Sequence, residues 1–253
     1  MLDVTDHGSI RELRLARPPV NALDPGLIAA LRGALARALS EGREAVMLSG
    51  APGRFSAGLD VPALLKLDRN AIRDLWTDFF GLLRDLATYP VPVVAALTGH
   101  SPAGGTVLAV FADHRVFADG PFLMGLNEVE VGLPVPFVLL RALTFAVGER
   151  EAARLAVGGL LLGPEEALRI GLVDEVVPVE EVVPRALAWT RDLLDSPRTA
   201  MLATRALARR PLGDAFAGLG ATEIEQIVEQ WFSPEAQATL RALVARLKKP
   251  ATT

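Results

Sequence analysis

A strand, a glycine-rich loop and the start of a helix follow one another twice in this chain, as SGAPGRFSAGLD at 49–60 and as TGHSPAGGTVL at 98–108. A glycine turn at a strand end lets the backbone approach a ligand closely, and the helix that follows begins with N–H groups that have no partner inside it. Two such loops side by side could aim two main-chain amides at one oxygen atom. That would be an oxyanion hole made of backbone, reinforced by a helix N-terminus. The spacing alone is met at least as well by two plain tight turns.

The other uses of glycine loops fit poorly. Neither G-x-G-x-x-G nor G-x-x-x-x-G-K-[ST] occurs, and the lysines are only Lys66, Lys248 and Lys249, so nucleotide-binding enzymes are poor candidates. Gly99-His100-Ser101-Pro102-Ala103 resembles a nucleophile elbow, but Pro102 has no N–H to offer an oxyanion, and the only downstream histidine, His114, sits directly behind Asp113. The three histidines (His7, His100, His114) show no metal-ligand spacing and read as solvated or loop residues. With no cysteine there is no disulfide, zinc–thiolate site or thiol nucleophile.

Charge and hydropathy narrow the class further. Lys+Arg 26 against Asp+Glu 30 gives a net charge of −4, without a basic block of the kind nucleic acid selects. Arg209-Arg210 and Lys248-Lys249 come closest and read as solvated helix ends. A mean hydropathy of +0.33 is high, yet every apolar run is short and broken by Gly, Pro or charge, so no membrane span is expected. The excess apolar surface suggests an oligomer interface. The opening MLDVTDHGSI is neither an apolar leader nor an Arg-rich transit peptide, which makes the cytoplasm the expected compartment.

The spacing predicts one or two antiparallel strands before residue 23, then a helix to about Ser40 with Asp24 as N-cap and Pro25 at its first position. Buried strands are expected at 45–49 and 91–97, and one helix over 61–88. A short helix follows at 106–112, with strands or extended segments at 114–118 and 129–133. Helices then dominate at 137–147, 149–157 and 164–170, with one more strand at 172–177. No element is assigned between 178 and 195. Beyond 196 three helical segments (197–209, 214–231, 234–248) follow. The expected organisation is a core over 1–195 and an all-helical extension over 196–253.

The acids of interest lie in GLNEVEVGLP at 125–134. Glu128 and Glu130 are either exposed at alternate strand positions or held in an apolar pocket, where a raised pKa would suit proton transfer at neutral pH. On spacing alone the exposed reading is the stronger.

Taken in order, RPPVNALD, GRFSAGLD, PVPVVAALTGHSPAGG, ADHRVFAD, GLNEVEVGLPVP and LVDEVVP resemble the crotonase (enoyl-CoA hydratase/isomerase) superfamily over about residues 10–195. PPVNAL, SPAGG and GLNE are most similar to its Δ3,Δ2-enoyl-CoA isomerases. The resemblance implies an α/β fold, a crotonase-like spiral of β-β-α units, an acyl-CoA substrate and no separate cofactor. It also implies a homotrimer or dimer of trimers, built partly by the C-terminal helices. Carried over position by position, the oxyanion hole falls on the amides of Ala57 and Gly104, and the acid/base on Glu128 beside Asn127. Phe55, Ser56, Ala57, Gly58, Leu59 and Asp60 would line the CoA through backbone groups, with Leu13, Val20 and Ala22 flanking it.

Hydratases of this family carry a second glutamate in the helix after the second glycine loop, where this chain has Val107. Hydration needs one group to activate water and another to handle the α-proton. A 1,3-proton shift from C2 to C4 needs a single carboxylate. The resemblance therefore points to an isomerase. A hydratase, another acyl-CoA enzyme of the superfamily, or a non-catalytic acyl-CoA-binding subunit are the alternatives.

Overall fold

Residues 1–247 are described by the computed structural model. Leu2–His7 (β1) and Ile10–Leu15 (β2) form an antiparallel hairpin, and Pro25–Ser40 (α1) follows. The expected start of α1 is present: Asp24 accepts the Leu27 N–H at 2.8 Å, and proline occupies the first turn, where its missing N–H costs nothing.

From there one winding repeats three times, each with a strand, a shorter strand and then helix. The first runs through Ala45–Ser49 (β3), Gly53–Arg54 (β4), Val61–Leu64 (α2) and Arg69–Ala87 (α3). The second comprises Val93–Leu97 (β5), Gly99–Pro102 (β6) and Gly104–Val110 (α4). In the third, His114–Ala118 (β7) and Met124–Gly125 (β8) lead to a 3-10 turn at Glu128–Val131, then to Phe137–Val147 (α5), Glu149–Gly158 (α6) and Pro164–Arg169 (α7). Glu175–Val177 (β9) and Val182–Leu194 (α8) close the spiral. Arg198–Asp214 (α9), Ala221–Trp231 (α10) and Pro234–Leu247 (α11) form the tail.

The long strands make one sheet, ordered β1-β2-β3-β5-β7-β9 and parallel after the hairpin. The short strands make a second parallel sheet, β4-β6-β8. β3, β5 and β7 are buried along their whole length; β3 and β5 accordingly read as apolar runs rather than alternations, while β7 opens with the buried polar pair His114-Arg115. One face of the large sheet joins the main core. On the other, Met47, Val94, Ala96 and Val116 pack against Val182, Ala186 and Leu187 of α8. Among the described residues no helix is long and apolar enough to cross a membrane.

Several expectations need correction. The helix expected over 61–88 breaks at 65–68, because Asp68 caps a new helix by accepting the Ala71 N–H at 2.9 Å. The extended segment expected at 129–133 is a 3-10 turn ended by Gly132 at φ 77. The strand expected over 172–177 begins only at Glu175, and α8 had no counterpart in the sequence reading. His114 is not solvated: it is buried, flat against Trp189 at 4.2 Å, with Nε2 2.9 Å from Glu175. Burial holds its imidazole below the usual pKa range, against the pull of Asp174 and Glu175.

Arg209 is likewise no solvated helix end. It is 6% exposed, and its guanidinium donates to Asp113 at 3.1 Å and to the carbonyls of Leu86 and Phe111 at 3.1 and 2.6 Å. Arg205 meets the same carboxylate at 2.8 Å, and Asp113 also accepts the Val93 N–H at 2.7 Å. The pair Lys248-Lys249 lies outside the described residues. The tail shares the main hydrophobic cluster with the spiral: Leu212, Phe216, Val228, Trp231, Ala236 and Leu240 all enter it.

Asp113 therefore clamps α9 to the start of β5. Asp113→Ala leaves the buried Arg209 charge uncompensated, and a loss of about 3–5 kcal/mol is expected by denaturant unfolding. A loss below about 1 kcal/mol would show that apolar packing alone holds the tail.

Candidate active site

The two glycine loops lie against each other because glycine stands at each point of contact. A Cβ on Gly104 would sit 2.9 Å from the Gly58 Cα, and one on Gly58 would sit 2.8 Å from the Gly104 nitrogen. Gly58 also has φ 83, in the left-handed region where side chains are disfavoured. β4 and β6 pair in parallel just behind this contact, with Gly53 opposite Gly99 and Arg54 opposite His100. The loop residues Ala57 and Gly104 thereby face one cavity.

That cavity has a volume of about 550 Å³. Ala57, Gly104 and Val107 form part of its wall, with Asn127 and Glu128 on the 3-10 turn. Val20, Ala22, Leu59 and Asp60 line it as well. Phe55 and Ser56 do not: both are wholly buried under the loop, as is Leu13 in the main core. Gly58 is spent on the contact with Gly104. Two other concavities, of about 590 Å³ beside α9 and about 830 Å³ over α10, contain neither glycine loop.

Sequence reasoning missed much of the wall. Arg17 stands in it, joined to Asp60 at 2.6 Å and to Asp24 at 3.1 Å. Trp76 and Phe79 of α3, Ile227 and Trp231 of α10, and Leu243 and Leu247 of α11 complete it. Their helical spacing marked them as apolar-face residues, but nothing local said that these faces meet around a cavity.

The two amides differ. The Ala57 N–H donates to the Val20 carbonyl at 3.0 Å, whereas the Gly104 N–H is the first of α4 and has no acceptor inside that helix. Ala103, just before it, has φ 47 and ψ −119 and supplies no side-chain cap.

Of the carboxylates on the cavity wall, Asp60 is committed to Arg17 and to the Ala63 N–H, leaving Glu128. Glu128 is partly buried, and its Oε2 is enclosed without a hydrogen-bond partner. Burial pushes its carboxyl up to about 7, opposed only by its own backbone N–H. Glu130, two residues on, is exposed. The exposed reading of this acidic pair thus holds for Glu130 and fails for Glu128. A carboxyl poised near neutrality in an apolar cavity can take up and return a proton at physiological pH. Among the described residues no group of His, Cys, Asp and Glu could hold a metal ion.

A family profile described as "Enoyl-CoA hydratase/isomerase" matches residues 5–243. The chain is 31% identical over 240 residues to the human protein "Enoyl-CoA delta isomerase 1, mitochondrial", which spans 94% of this chain and 80% of that one. It is 36% identical over 198 residues to a probable enoyl-CoA hydratase of Mycobacterium avium (strain 104), covering 77% and 76% of the two. The crystal structure of human mitochondrial Δ3,Δ2-enoyl-CoA isomerase superimposes with a TM-score of 0.93 at 30% identity, covering 98% of both chains.

A buried acid with a raised pKa has a thermodynamic cost. The carboxyl titrates near 4.5 when solvated and near 7 in the fold, so the fold is favoured by protonation. That contribution is complete below about pH 4.5 and is lost as the pH rises through 7. Glu128→Gln, which cannot ionise, is therefore expected to be more stable than the wild type at pH 8, by about 3 kcal/mol, and close to it at pH 4. Equal effects at the two pH values, measured by denaturant unfolding, would contradict the raised carboxyl.

Proposed function

The chain belongs to the enoyl-CoA hydratase/isomerase family, and from that premise we propose that it is a Δ3,Δ2-enoyl-CoA isomerase serving fatty-acid β-oxidation. The single observation that carries this is that the cavity holds one uncommitted carboxylate, Glu128, with Val107 where a hydratase of the family has its second. Glu128 removes a proton from C2 of a 3-enoyl-CoA and returns it at C4, moving the double bond into conjugation with the thioester. Hydration would require a second group to deliver water, and the Val107 side chain offers neither donor nor acceptor.

The dienolate formed between the two steps carries its charge on the thioester oxygen. In this proposal the amides of Ala57 and Gly104 bind that oxygen, each contributing about 3–4 kcal/mol by analogy with other oxyanion holes. The substrate carbonyl takes over the Ala57 hydrogen bond from Val20, so entry of the thioester displaces the Val20 carbonyl. The CoA moiety runs past Val20, Ala22, Leu59 and Asp60 at the mouth, with the loop of Phe55, Ser56 and Gly58 supplying backbone support behind it. Coenzyme A is part of the substrate, and no further cofactor enters the reaction. A homotrimer or dimer of trimers is proposed as well. The apolar side chains of Phe137, Phe145, Val157 and Leu207, all exposed on the single chain, support it.

A second reading, enoyl-CoA hydratase, draws on the likeness to the probable hydratase above. Incubation with 3-enoyl-CoA and 2-enoyl-CoA side by side separates the two. Conjugation of the first with negligible water addition to the second is expected, and brisk hydration would overturn the isomerase reading.

Glu128→Gln is expected to keep acyl-CoA binding and lose most isomerisation, while Glu130→Gln has little effect. The reverse pattern would misplace the base. Turnover should rise with pH through about 7, as Glu128 gives up its proton. Val107→Glu is expected to gain only weak hydration. The larger side chain costs about 1–3 kcal/mol of strain in a packed wall, and its charge opposes that of Glu128.

A further inference from the structure

Asn21 is not part of the cavity wall, yet it holds the loop that carries the Ala57 amide. It is 3% exposed and has φ 52, a left-handed conformation that asparagine tolerates better than most residues. Its side-chain Nδ2 donates to the Phe55 carbonyl at 3.0 Å, and its own carbonyl accepts the Ser56 hydroxyl at 2.8 Å. Its Oδ1 accepts the Arg17 N–H at 2.9 Å, and its N–H donates to the Arg17 carbonyl at 2.8 Å. The two residues directly before Ala57 are therefore tied to Asn21 on one side. On the other, the N–H groups of Phe55 and Ser56 donate to the His100 carbonyl at 3.0 and 3.3 Å.

We propose that Asn21 is a positioning residue for the oxyanion hole, fixing the direction of the Ala57 N–H through Phe55 and Ser56. The kinetic consequence rests on the isomerase reading; the positioning itself does not. Neither side-chain bond of Asn21 involves the Ala57 N–H or the Val20–Asn21 peptide, so both persist when a thioester oxygen replaces the Val20 carbonyl. Loosening them lets the amide turn away from the developing charge while leaving the apolar walls that bind the acyl chain intact. An interaction felt chiefly in the transition state shows in kcat rather than in KM.

The test uses Asn21→Gly, which keeps the φ of 52 without strain and deletes only the side-chain ties. Ser56→Ala cuts the other bond between the two segments, that of the Ser56 hydroxyl to the Asn21 carbonyl, and decides the matter if the glycine variant does not fold. On 3-enoyl-CoA, kcat is expected to fall about 10-fold, a fraction of the effect of deleting an oxyanion donor outright, with KM within about twofold. Independently of turnover, the infrared carbonyl stretch of a bound saturated acyl-CoA with a 13C-labelled thioester should lie below its solution value in the wild type. In the variants it should move part of the way back. Folded variants with wild-type or raised kcat and an unchanged carbonyl frequency would overturn the proposal, as would a loss confined to KM. A wild type that fails to isomerise but whose carbonyl shift still depends on Asn21 would sink the isomerase reading alone. A wild type that binds no acyl-CoA would sink both.

Discussion

The site depends on one close approach, that of Gly58 to Gly104. Neither position has room for a Cβ, so no other residue lets the two loops lie at this distance. The approach is prepared by the fold: β3 and β5 are neighbours in the large sheet, β4 and β6 in the small one, and each glycine loop leaves its winding at the same height. Two amides that belong to residues 47 positions apart in sequence are thus brought to one cavity by repetition of a single structural unit. The Gly104 N–H, first in α4, has no acceptor inside its helix, whereas the Ala57 N–H is held by the Val20 carbonyl.

Glu128 obeys a second constraint. Its turn is held where β8 ends, with the Gly125 N–H on the Thr106 hydroxyl at 2.7 Å and the Gly125 carbonyl accepting the Ala103 N–H at 2.8 Å. The helix that presents Gly104 and the turn that presents the acid are therefore locked to each other. The tail contributes further apolar wall through Trp231 and Leu243, and burial raises the Glu128 pKa. The Asp113 clamp on Arg205 and Arg209 helps hold the tail to the spiral.

What was legible in the sequence is what is written locally. Asp24-Pro25 marks the start of α1, and apolar runs mark the buried strands β3 and β5. The ordered string of motifs pointed to the crotonase-like fold that the superposition on solved structures supports. What was not legible depends on partners far along the chain. Arg209 looked like a solvated cation because its carboxylate lies 96 residues away. α8 is not legible locally because Val182 and Val183 are β-branched and Glu181 before them supplies no side-chain cap. Packing of Val182, Ala186 and Leu187 against the sheet compensates for it. Glu128 and Glu130 look equivalent by spacing, and only the 3-10 turn, which breaks the expected alternation, sends one inward and the other to solvent. Asn21 carried no signal except its place in PPVNAL; its role lies in bonds to residues 34 and 35 positions away.

In the proposed isomerisation one enclosed carboxylate carries the same proton from C2 to C4. The fate of the label shows this when a 3-enoyl-CoA deuterated at C2 is converted in ordinary water and analysed as the 2-enoyl product. A measurable share of the deuterium is expected at C4, because Glu128 Oε2 is buried with no hydrogen-bond partner to take the label away. Complete replacement of the label by solvent hydrogen would contradict it.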